Sequence, residues 1–127
     1  MINGLDHINI STDKLADTRA FFIDVLGLTE GFRPDFGIPG SWLYCGDRAI
    51  VHLVERGAAR APSNTAALDH FAFAIDDFDA AAGKLAAHGV TYQALDVPGT
   101  PVRQLFIRDL NGVAIELNYR PAGYVSP

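Results

Sequence analysis

Three histidines and one glutamate sit at places that repeat along this chain. Leu5-Asp6-His7 recurs 63 residues later as Leu68-Asp69-His70. The segment Ala49-Ile50-Val51-His52-Leu53 is matched in kind, 64 residues on, by Val113-Ala114-Ile115-Glu116-Leu117. Imidazole nitrogen and carboxylate oxygen are groups that divalent transition metals accept at roughly 2.0–2.2 Å. A His/Glu set with open positions suits Zn, Mn, Fe, Co or Ni. A single histidine on an apolar strand is ordinarily a hydrogen-bonded core residue. Three of the four histidines at equivalent points of a repeat, with a carboxylate flanked by Ile115 and Leu117, make a different case. Burying Glu116 there without a cation is costly. His7, His52, His70 and Glu116 are therefore the expected ligands of one divalent metal.

Positioning them requires two halves built alike, and the hydrophobic pattern supplies both. Leu5 to Ile10 alternates as a half-buried strand does. Ser11, Thr12 and Asp13 offer N-caps to a helix whose apolar stripe is read as Leu15, Phe22 and Leu26, with Ala16, Ala20 and Ile23 beside it. Gly27 stands at the helix C-cap. Strands at Leu28 to Arg33, Ser41 to Cys45 and Ala49 to Glu55 complete the half. After an Ala/Gly/Pro/Ser-rich linker the order returns: strand Leu68 to Ile75, Asp76 or Asp77 as N-cap, a helix through Ala87, and Gly89. Strands Val90 to Leu95, Val102 to Arg108 and Gly112 to Tyr119 follow. The last two are joined by Asp109-Leu110-Asn111-Gly112, a strong hairpin signal. The expectation is one α+β domain of two βαβββ modules, at about 4–56 and 68–120, with the linker at about 57–67. Packed about a pseudo-twofold axis, the modules bring the four ligands together.

The bulk properties narrow the class. The chain has 127 residues, 49% of them hydrophobic and 20% charged, with a net charge of −5. That is the profile of a globular domain, without the clustered Lys/Arg of a nucleic-acid binder. No apolar run nears the roughly 20 residues of a membrane span, and no signal peptide is visible. The lone Cys45 excludes an intramolecular disulfide and suits a reducing compartment, so a cytoplasmic location is expected.

Residues two apart on a strand share a face. Asn9 thus accompanies His7, and Asn118 accompanies Glu116. Trp42 and Tyr44 share a face as candidate cavity walls. Arg103 and Arg108 fall on opposite faces of one strand, so at most one can hold a substrate anion. Cys45 is read as a small core residue, and His88 as a partner of its own helix C-terminus.

With those motifs in hand, the chain resembles the vicinal oxygen chelate superfamily, the group of glyoxalase I, extradiol dioxygenases and the fosfomycin- and bleomycin-resistance proteins. The likeness runs from Leu5 to Tyr119. It is strongest at Leu5-Asp6-His7-Ile8, at Phe21 to Leu28, at Leu68 to Phe73 and in the hairpin Phe106 to Leu117. Leu110 stands where that family usually has proline. The resemblance implies an incomplete, curved mixed-sheet barrel (glyoxalase-like), a homodimer, and a metal chelated by two vicinal oxygens of a small molecule. It maps the family's ligand positions onto His7, His52, His70 and Glu116. Glyoxalase I looks similar but has Glu at the position of His52, so only one ligand carboxylate remains here.

Three reaction classes follow. The first is a lyase- or isomerase-type proton transfer, in which the metal acts as Lewis acid and Glu116 or His52 handles the proton. The second is ring cleavage by a dioxygenase built on two histidines and one carboxylate. The third is a resistance-type transferase or binding protein. Proton transfer is the leading expectation.

Overall fold

A computed structural model describes residues 1–125. The element order is β1 (Ile8–Thr12), α1 (Leu15–Ala20), β2 (Thr29–Gly31), β3 (Gly40–Cys45), β4 (Arg48–Glu55), β5 (His70–Ile75), α2 (Phe78–Ala87), β6 (Gln93–Asp96), β7 (Arg103–Arg108) and β8 (Ala114–Tyr119). Each half is therefore a βαβββ module, as expected. The strands form two open four-stranded sheets, ordered β1-β4-β3-β2 and β5-β8-β7-β6. In each, the first strand pairs in parallel with the last. The chain separates into two compact units that divide after Arg60.

In the first unit, the helix departs from its expected form. Lys14 is the N-cap, and its backbone N–H donates to Thr12 Oγ1 at 2.9 Å. After Ala20 the helix widens into a π turn, Phe21–Val25, closed by Gly27 N–H to Ile23 O and Leu28 N–H to Phe22 O, both 3.1 Å. The buried stripe is Thr18, Phe21, Phe22 and Val25. Ala16 and Ala20 are exposed and Ile23 and Leu26 half-buried, so the stripe read from the sequence lies to one side of the real one. The wider turn carries Phe21 and Phe22 together into the core. Gly27 takes a φ of +78°, which favours glycine.

That stripe covers a core of Leu43, Val51, Leu53 and Phe22, each at most 1% exposed. Ser41 is buried among them, and its hydroxyl reaches no partner among the described residues. A buried hydroxyl without a hydrogen bond carries its full desolvation cost. Ser41→Ala is therefore expected to raise unfolding stability by about 1 kcal/mol, read from urea denaturation. A fall in stability of similar size would contradict the reading. Cys45, expected in the core, is exposed at the end of β3, because the Gly46-Asp47 turn begins there.

In the second unit, Asp77 caps α2 by accepting from Ala80 N–H at 2.9 Å. His88 Nδ1–H donates to Lys84 O at 2.9 Å, the helix-end role expected of it. The β7–β8 turn is organised by buried Asp109. Its carboxylate accepts from Asn111 N–H (2.8 Å), Val113 N–H (2.9 Å) and the Asn111 side-chain amide (3.0 Å). Part of the expected linker is stitched to this hairpin. Ser63 N–H donates to Gly112 O at 3.0 Å, and Ser63 Oγ accepts from Ala114 N–H at 2.7 Å. No helix among the described residues is long and apolar enough to cross a membrane.

Candidate functional site

In the second unit, the β5–β8 register places Ala72 beside Glu116 and His70 beside Ala114. His70 and Glu116 therefore lie on one face, and His70 Nε2 stands 3.2 Å from Glu116 Oε2. Two ligands held at ~2.1 Å from one ion, at tetrahedral or octahedral angles, are about 3.0–3.4 Å apart. The pair has the spacing of adjacent metal ligands.

Both groups are oriented from behind. His70 Nδ1–H donates to Asp69 Oδ2 at 2.7 Å, which leaves Nε2 facing Glu116. Gln104 Nε2 donates to Glu116 Oε1 at 2.6 Å, from the diagonal position on β7. Glu116 is only 7% exposed. Such supports fix tautomer and direction in metal sites. The Asp69 hydrogen bond holds the His70 pKa above its usual value, against partial burial, with the Glu116 charge adding to the effect. Asp69 and Gln104 were not anticipated as supports. The aspartate preceding each repeated histidine was the available signal.

In the first unit, His7 lies just before β1, and His52 is the central residue of a cross-strand row. Asn9 pairs with it on β1 and Trp42 on β3. His7 repeats the Asp–His arrangement, with Nδ1–H donating to Asp6 Oδ2 at 2.6 Å. That bond holds the Asp6 pKa below its ordinary value. The three rings form one stack. Trp42 and His52 centroids are 4.0 Å apart at 10°, and His52 and His7 are 3.8 Å apart at 14°.

Parallel imidazoles at that separation aim their lone pairs along parallel planes, so both cannot hold one ion in this arrangement. His52 Nε2–H also donates to Ala49 O at 3.1 Å. Its pKa is lowered, first by burial and then by electrostatic interaction with His7 and Arg33, against the raising effects of the Ala49 bond and Asp6. With Nε2–H given to Ala49 O, the lone pair of the neutral imidazole lies on Nδ1. Among the described residues, no group of three or more His, Cys, Asp and Glu side chains is gathered as a metal site. Each unit supplies a pair.

The remaining candidates divide. Asn9 and Trp42 line a cavity beside His7 and His52. Tyr44 is turned to the chain, its hydroxyl donating to Phe32 O at 2.6 Å. Arg103 stacks on Phe78 at 3.7 Å and pairs with Asp96 at 3.1 Å. Arg108 donates to Asn64 Oδ1 at 3.1 Å and Gly112 O at 3.2 Å. Neither of these arginines is free for an anion. Asn118 is buried, with its side-chain amide facing the Arg120 guanidinium, an arrangement that suits the amide oxygen on that side.

The fold is that of a known family. The model of the Glyoxalase/Bleomycin resistance protein/Dioxygenase superfamily matches residues 4–117, and the chain belongs to that superfamily. It is 33% identical to the uncharacterized protein YaeR of Escherichia coli (strain K12), over 91% of this chain and 95% of that one. The fold is also that of a mutant of the fosfomycin resistance protein FosX from Listeria monocytogenes, solved with Mn(II) and 1S,2S-dihydroxypropylphosphonic acid. That likeness has a TM-score of 0.76 and 19% identity, over 94% of this chain and 93% of that one. Lactoylglutathione lyase from Agrobacterium tumefaciens is similar at a TM-score of 0.70 and 21% identity, over 93% and 94%.

Proposed function

We propose that this protein is a divalent-metal-dependent enzyme acting on a small molecule that chelates the metal through two neighbouring oxygens. His7, His70 and Glu116 are its protein ligands, and His52 is its acid–base residue. The observation that carries the reading is the His70–Glu116 pair, at ligand spacing and braced by Asp69 and Gln104. The Asp6–His7 couple supports it by repeating the same bracing.

Three ligands leave open positions for two substrate oxygens. When bound, the metal supplies Lewis acidity toward those oxygens. The chain's own residues do the rest. Gln104 holds one oxygen of Glu116, so the carboxylate is fixed rather than free to leave and act as base. His52 is the better proton acceptor. Its Nε2–H is committed to Ala49 O, which leaves Nδ1 to accept a proton, and burial lowers its pKa and so favours the neutral form. The reaction class this favours is lyase- or isomerase-type proton transfer.

Addition to a substrate of the resistance type is the second reading. It is favoured by the three-residue ligand set, and by likeness to a fosfomycin resistance protein solved with Mn(II). Metal analysis of protein purified without chelator, with oxygen uptake followed on catechols, tests the main reading. Stoichiometric Zn, Ni, Co or Mn without oxygen consumption is expected. Iron with catechol-dependent oxygen uptake would replace proton transfer by dioxygenase chemistry, and a folded protein that takes up no divalent metal would end the proposal.

A further inference from the structure

Arg33 follows β2 and enters the turn-rich segment ahead of β3, and its side chain is oddly placed for a loop arginine. Its Nε is buried and meets no acceptor from the protein. Other arginines are engaged: Arg19 with Glu30 at 3.2 Å, Arg48 with Leu5 O at 3.1 Å, Arg103 with Asp96. Arg33 has no ion pair among the described residues, and its ring contact is Phe36, 5.1 Å from guanidinium carbon to centroid. The guanidinium passes over Gly40, where an added Cβ would stand 2.6 Å from Nη2. Glycine at 40 is what lets the side chain lie there.

The space it faces is a cavity of about 280 Å³, lined also by Asn9, Phe36, Trp42, His52 and Arg56. Phe36 and Trp42 form an aromatic rim, 6.1 Å between centroids and inclined at 38°. A second cation, Arg56, faces the same space, and no acidic side chain lines it. A guanidinium fork without a counter-ion, beside aromatic walls, is suited to an oxyanion carried on a flat or apolar body.

We infer that Arg33 is a specificity-determining residue that holds a carboxylate or phosphonate of the substrate, whose body lies against Trp42 and Phe36. As a substrate subsite, this rests on the proposed role of the neighbouring His7 and His52. As an anion site, it can be tested without metal.

The probes are benzoate, phenylphosphonate and the uncharged benzamide, titrated into metal-free protein and followed by ¹H–¹⁵N spectra that include the Arg33 Nε–H signal. Benzoate or phenylphosphonate is expected to move that signal, with the tighter of the two naming the headgroup, while benzamide leaves it in place. Arg33→Gln is expected to weaken anion binding by at least about 10-fold. Arg33→Lys keeps the charge but loses the fork, and is expected to recover part of the affinity; it also serves if the glutamine variant is unstable. Anion affinity unchanged in either folded variant, benzamide binding as well as benzoate, or no anion binding to the wild type would each overturn the inference. Because no metal is present, these outcomes are independent of whether His70 and Glu116 bind one.

Discussion

Glu116→Ala is expected to reduce divalent-metal affinity by at least about 100-fold, since losing even a supporting group typically costs 10–100-fold and Glu116 is a proposed ligand. The geometry concentrates the effect on this residue. It is the only carboxylate among the candidate ligands, it is buried, and its second oxygen is held by Gln104. Glu116→Gln separates charge from shape, because the amide can keep a hydrogen bond to Gln104 but is a far weaker ligand. The two variants should therefore lose metal alike while differing in stability. Metal content by plasma mass spectrometry, with competition against a chelating dye, reads the first effect. Wild-type metal content in Glu116→Ala would remove the residue from the site, whatever the histidines do.

Phe22→Ala should be the most damaging single truncation in the first unit, at about 3–5 kcal/mol, the usual range for removing a buried phenylalanine. Phe22 is fully buried and meets Phe21 edge to face at 5.5 Å. It sits inside the π turn, where its own carbonyl accepts from Leu28 N–H. Collapse into the cavity would require that turn to tighten. Little relaxation is available, which places the cost in the upper part of the range. Urea unfolding followed by backbone circular dichroism measures it; a loss below about 1.5 kcal/mol would mean that the turn re-forms as regular helix.

What could be read from the sequence divides along physical lines. The two modules were legible because strand alternation and glycine caps are local signals that occur twice. His70 and Glu116 were legible as partners because the parallel β5–β8 register follows from that module order. The helix stripe misled, because a π turn leaves no mark in a 3.6-residue periodicity. His52 was legible on its strand, but its stack on Trp42 depends on cross-strand register and ring rotation, which spacing does not carry. Arg103 and Arg108 drew attention as strand arginines, yet Asp96, Phe78, Asn64 and Gly112 engage them. Arg33 went unnoticed because it lies in a segment without periodicity, and its proposed role depends on having no ion pair among the described residues.

The ring stack gives the protein an indicator of its own. Trp42 is the single tryptophan of the chain, and it lies flat against His52. Its emission therefore reports on one imidazole, without background from any other indole. A proton arriving on His52, or a rotation that breaks the stack, changes the surroundings of the only indole present. Events at this residue can be timed in unlabelled protein, including those that a steady-state assay averages away.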